Sequence, residues 1–222
     1  RNSTALICKR SDLPRLGDAS ASEGTHEGYT QLLGLISHEY FHTWNVKRLR
    51  PAEFARYDYT QENYTQLLWF FEGFTSYYDD LLLRRAGLLD DAGYLKLLGK
   101  TIQQVQQTPG RQVQTVAEAS FDAWVKYYRQ DENTPNSTVS YYTKGALVAL
   151  CLDLTLRREG QTTLDAVMRG LWQRCKAGPM AESDLRAVLQ ALAGRSFDAE
   201  LDAWVHSTAE LPLAELLTAH GV

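Results

Sequence analysis

Apolar residues recur at helical spacing along nearly the whole chain. Between Tyr29 and Trp44, the positions Leu32, Leu33, Ile36, Tyr40 and Phe41 predict a helix, and Pro51 lies beyond its end, where a breaker is tolerated. A second helix is predicted from near Asn63 to Arg85, with Gly87 as its stop. A third starts after Asp90, a good N-cap, and ends before Pro109-Gly110. The stretch QDENTPNSTVS over 130–140 reads as a polar loop. It precedes a helix from Tyr142 to Arg158 closed by Gly160. Three more helices are predicted near 163–176, 183–193 and 197–219, the last interrupted around Pro212. Residues 3–9 suggest one short strand, followed over 10–27 by a loop rich in Ser, Gly, Asp and Pro. The expectation is a mainly α protein with at most one or two short strands near its N-terminus.

Composition narrows the function classes. A chain of 222 residues can bury a substantial core, and 27 acidic against 23 basic residues give a net charge of −4. No basic field exists to hold a phosphate backbone, which argues against nucleic acid as a partner. The densest basic run, Lys47-Arg48-Leu49-Arg50, reads as a solvated helix end. Cys8, Cys151 and Cys175 are too scattered for a disulfide framework or a CxxC metal knuckle, and Cys151, in LVALCLDL, reads as a small buried hydrophobe. No apolar run reaches the ~18 residues of a membrane span. The opening RNSTALICKR has neither the features of a signal peptide nor an initiator methionine. A mature form and an excised piece both fit, and localisation, cytoplasmic or periplasmic, stays open.

The chemistry concentrates in HEYFH, residues 38–42. On a helix, residues four apart share a face, so His38 and His42 can present two imidazole nitrogens to one point. That arrangement suits Zn²⁺, and Glu39, one step round the helix, can reach a water at the metal as general base. The alternative is a pair of packed, hydrogen-bonded histidines. A catalytic zinc needs a third protein ligand, with the fourth position left to water. Glu72, in WFFEGFTSYY, sits among Trp69, Phe70, Phe71 and Phe74, where an ionised carboxylate is costly unless paired or bound to a cation. An exposed glutamate on the outer side of that helix is the competing reading. His26 reads as a surface-loop histidine, and His206 and His220 have no partner at ligand spacing.

The segments SHEYFHTWNVKRLRP, LLWFFEGFTSYYDDLLLRRAGLL and VSYYTKGALVALCLDL together resemble the glycyl aminopeptidase family of zinc metallopeptidases. HExxH alone is moderately specific; HExxH, then WxxEGF, then YxKG in that order is highly specific. The similarity runs from Arg1 to about Val222 and implies the helical part of a thermolysin-like catalytic domain. On that resemblance 1–222 is a single catalytic domain: a short strand and loop over 1–27, zinc-site helices over 28–87, and a helical bundle over 88–222. The resemblance implies that His38, His42 and Glu72 are zinc ligands, that Glu39 is the general base, and that Tyr142 donates to the developing oxyanion. Tyr141 is the rival for that last role; paired aromatics otherwise simply pack.

In the family, a Gly-rich segment that holds the substrate's α-amino group precedes Arg-Asn-Ser-Thr, which are Arg1-Asn2-Ser3-Thr4 here. The resemblance therefore implies that the amine reader and a β domain lie upstream, that a PDZ domain follows downstream, and that this chain alone is a poor aminopeptidase. The leading reading is a zinc aminopeptidase core acting on peptides with small N-terminal residues, glycine or alanine. An endopeptidase-like hydrolase and a catalytically silent interaction module of the same fold are the alternatives. Intact His38, Glu39, His42 and Glu72 weigh against the last.

Overall fold

The computed structural model describes residues 3–14 and 27–222; His26 and most of the expected 10–27 loop lie outside them. Eleven α-helices and two short strands are found among the described residues. The first helix, α1 (Glu27–Phe41), carries the HEYFH segment. It is followed by β1 (Arg50–Pro51), then α2 (Leu68–Phe71) and α3 (Gly73–Arg85). Next come α4 (Asp91–Gln107), α5 (Val116–Phe121), α6 (Thr134–Ser137) and α7 (Tyr141–Glu159). The chain continues through α8 (Leu164–Arg174), β2 (Pro179–Met180), α9 (Glu182–Ala193), α10 (Asp198–Trp204) and α11 (Leu213–Ala219).

Helix α7 is the axis of the molecule. Its run from Lys144 to Asp153 is buried on every side, as a helix with no polar face must be, and α2, α3, α4, α5, α8 and α11 pack around it. Its closest approach is to the α2–α3 junction. A Cβ on Gly73 would lie 2.5 Å from the Gly145 Cα, and one on Gly145 only 2.4 Å from the Trp69 carbonyl oxygen. Two glycines let the backbones meet there, directly beside Glu72. Helix α1 lies against α3, held by the Phe41 ring stacked on Tyr78 at 5.0 Å and by Ser37 Oγ donating to the Asp79 carbonyl at 2.9 Å.

Asp153 ties three helices together. It accepts from Tyr77 Oη at 2.7 Å, Arg157 Nε at 2.9 Å and the Leu164 backbone N–H at 3.1 Å. A buried carboxylate so fully bonded is tolerated where an unpaired one is not.

Several expectations need correction. Residues 3–9 form no strand, and Ile7 is almost wholly exposed. The two strands lie instead at 50–51 and 179–180, paired in parallel with Arg50 opposite Pro179. The second helix starts at Leu68, not near Asn63, because Asn63 is spent on a turn, donating to the Asp58 carbonyl while accepting from the Asp58 N–H. That helix is also broken at Glu72. Helix α5, with its Thr115/Glu118 capping box, adds to the helices that periodicity predicts, and α6 lies inside the stretch whose polar composition reads as a loop. The basic run is not a helix end: Leu49 is buried, and Arg48 donates to the Thr43 carbonyl. The interruption near Pro212 widens to 205–212. The three cysteines are free, with Cys151 buried as its surroundings suggested and its thiol pushed up to about 12 by that burial.

Candidate metal centre

His38 and His42 keep their helical register. Although His42 is one residue past the end of α1, its N–H still bonds to the His38 carbonyl at 3.1 Å, and the two rings meet edge-on at 4.6 Å. Glu72 arrives from the break between α2 and α3, and its Oε2 lies 3.2 Å from Nε2 of both histidines. Ligand atoms of the three residues all fall within 4.8 Å of one another, forming a cluster able to hold a metal ion. The exposed alternative for Glu72 does not hold: its side chain is largely buried and turned towards the histidines.

The far side of each ring is also occupied. His38 Nδ1 lies 3.0 Å from Asp79 Oδ2, and His42 Nδ1 lies 2.8 Å from the Asn45 carbonyl oxygen. A carbonyl can only accept, so His42 Nδ1 carries a proton, and the same assignment follows for His38 facing a carboxylate. In the neutral tautomers both Nε2 lone pairs then point at one carboxylate oxygen. Three electron-rich atoms at such range call for a cation between them, either protons or a metal.

The electrostatics of the three side chains express that demand. Burial pulls His38 down, but its bonds to Asp79 and Glu72 outweigh burial and raise it to about 9. Burial pushes Glu72 up, and the two histidines overcome this and bring its carboxyl down to about 2. Asp79 is pushed up by burial against the pull of His38.

Glu39 is half-buried and has no hydrogen bond or ion pair among the described residues. The Tyr142 ring lies 6.2 Å from His38, whereas Tyr141 is fully buried between Tyr127 and Tyr142. Burial and then the Glu72 charge raise the Tyr142 phenol, keeping it a hydrogen-bond donor. His206 pairs with Glu182 and His220 with the Leu216 carbonyl, both remote from the cluster in sequence and in contacts.

Two residues of this centre escaped sequence reasoning. Asp79 follows Glu72 by two helical turns, and a search for a carboxylate at that spacing would have found it. Asn45 acts on His42 through its backbone, which no side-chain pattern reports.

The model of a family described as M61 glycyl aminopeptidase matches residues 31–148, more than half of the chain. The chain belongs to this family. The matched region includes His38, Glu39, His42, Glu72, Asp79 and Tyr142. The structure is also similar to a crystal structure described as an aminopeptidase N family protein from Idiomarina loihiensis, with a TM-score of 0.91 and 43% sequence identity. That similarity covers 98% of this chain but only 37% of the Idiomarina chain. No curated protein matches the chain.

Proposed function

We propose that the chain is the catalytic core of a zinc metallopeptidase, with His38, His42 and Glu72 as the metal ligands. The observation that carries this reading is the convergence of two Nε2 atoms on one Glu72 oxygen, each 3.2 Å away, while both Nδ1 atoms are already engaged. Two imidazoles and a carboxylate are the donor set of a catalytic zinc with one position left open, and the Asp79 and Asn45 contacts are the outer partners that such ligands use. Zinc in that position would supply a Lewis acid for the scissile carbonyl and an acidified water.

The protein's own residues then move the protons. Glu39, next to His38 and unpaired among the described residues, takes the proton from the attacking water and returns it to the departing amine. Tyr142, held as a neutral phenol beside His38, donates to the oxygen on which charge develops, a bond worth most in the transition state. Family membership supports a peptide substrate, and the family's name favours small N-terminal residues, glycine foremost. Selectivity for a free α-amine is assigned to an upstream segment, with a β domain before this core and a PDZ domain after it.

Metal analysis together with peptide hydrolysis tests the reading. The expected result is one zinc per chain, lost in Glu72→Ala, with turnover of glycyl and alanyl substrates that rises when the upstream segment is present. Preferential cleavage of amino-blocked peptides would replace the aminopeptidase assignment with an endopeptidase one. Stoichiometric zinc without any turnover would point to a silent module.

A further inference from the structure

The geometry points to Asn45 as a positioning residue of the metal centre, one that holds the His42 imidazole in register with Glu72. The inference rests on the metal centre proposed above. Asn45 sits three residues after His42, outside α1, and is 1% exposed. It is the only described residue that bonds both to a histidine of the cluster and to the backbone next to Glu72. Its carbonyl oxygen receives the His42 Nδ1 proton at 2.8 Å. Its side-chain Nδ2 donates to the Phe71 carbonyl and to Thr75 Oγ1, each at 3.2 Å. Phe71 immediately precedes Glu72, and Thr75 lies one turn further along α3.

The amide orientation follows from its partners. The Phe71 carbonyl can only accept, and the Thr75 hydroxyl already donates to that same carbonyl at 2.6 Å. Both positions therefore require the NH₂ group of Asn45, and Oδ1 is left facing the other way. One residue thus fixes the tautomer and direction of one ligand and grips the turn that presents another.

Two unfavourable features at this point show that the arrangement is maintained against cost. Asn45 Oδ1 is buried without a hydrogen-bond partner among the described residues. Val46, the next residue, has φ = 136°, a region that a β-branched side chain rarely enters. The surrounding loop is pinned to hold this shape: the Lys47 N–H bonds to the His42 carbonyl at 3.1 Å and the Leu49 N–H to the Trp44 carbonyl at 3.0 Å. A residue serving only as packing would be better replaced by an apolar one, which would remove the orphaned acceptor.

The test measures zinc affinity by chelator competition alongside thermal stability, and the visible spectrum of the Co²⁺-substituted protein, which reports ligand geometry. Four proteins are compared: wild type, Asn45→Ala, Thr75→Val and Leu32→Ala. Leu32 is buried on α1 and is not one of the ligands, so its variant calibrates general loss of stability. Asn45→Ala keeps the carbonyl that receives the His42 proton but releases that carbonyl's anchor on the Phe71 turn. It is expected to weaken zinc binding about 10-fold, the low end of the range for disturbing an outer partner of a metal ligand, and to alter the Co²⁺ spectrum. Thr75→Val, which removes one of the two acceptors, is expected to shift both in the same direction by less. Leu32→Ala is expected to lower stability with zinc affinity and spectrum unchanged. If Asn45→Ala and Leu32→Ala behave alike, Asn45 is structural only and the inference fails. If Asn45→Ala does not fold, Thr75→Val decides, and wild-type affinity and spectrum there overturn it. A wild-type chain that takes up no zinc would overturn the metal centre itself, and this inference with it.

Discussion

The two ends of this chain handle charge in opposite ways. In the region of α1 to α3, charged side chains turn inward: His38, His42, Glu72 and Asp79 meet in a largely buried cluster. Both buried polar atoms without a partner among the described residues, Asn45 Oδ1 and Trp69 Nε1, also lie there, as does the strained Val46. In α9 and α10, charge turns outward. Arg186 reaches the exposed Asp198 and Asp202 as well as the more enclosed Glu182, and Arg195, between the two helices, reaches Glu159 and Glu200. Positive φ at that end falls in the mild left-handed region, at Lys176 and Ala177. Unfavourable local choices are concentrated where chemistry needs them, and elsewhere the sequence satisfies each group cheaply.

The sharpest way to test this contrast is to alter the inward region without changing its shape. Glu39→Gln should retain zinc yet lower kcat by about 10²–10⁴-fold, the scale of a lost general base. Steady-state kinetics on the zinc-loaded protein checks this, and activity close to wild type would remove Glu39 from the role. Tyr142→Phe should lower kcat by about 10²–10³-fold with little change in KM, as for one oxyanion donor. Should Tyr141→Phe produce that loss instead, the register is off by one.

A third substitution probes the packing that joins the regions. Gly145→Ala places a methyl group against the Trp69 carbonyl and should cost about 1–3 kcal/mol, read from denaturant unfolding. The smallest effect belongs to the outward region. Arg186→Ala removes three ion pairs, two of them to exposed carboxylates, and should cost about 1 kcal/mol or less, shrinking further in high salt. A larger cost there than at Gly145 would break the comparison.

The sequence revealed the inward region better than its supports. His38 and His42 were legible because helical spacing is local, and Glu72 because a carboxylate among aromatic residues needs an explanation. Asp79 offered only its two-turn spacing from Glu72, whose meaning depends on how α1 lies against α3, and Asn45 offered nothing, since it acts through a backbone carbonyl that every residue possesses. Helix α5 is too short to show periodicity, although Thr115 and Glu118 carry a readable capping signal. Residues 3–9 have strand-like composition, but composition does not supply a neighbour, and among the described residues none pairs with them. Conversely, Arg50-Pro51 and Pro179-Met180 pair without any pattern two residues long being able to announce it.

That small parallel pair bears on the order in which the molecule forms. Arg50 and Pro179 are separated by 179 − 50 = 129 positions, so their contact closes a long loop whose entropic cost must be met before the pairing gives anything back. Helix pairs near in sequence, such as α2 with α3 or α8 with α9, face a much smaller barrier of this kind. The stitch that anchors the segment following the second histidine is therefore expected to form late, once the C-terminal helices are in place. On a ribosome, residues 179–180 emerge long after the histidines. Pulse-labelling hydrogen exchange would then show amides near Leu49 gaining protection after those of α7, with high-affinity metal capture waiting on a nearly finished protein.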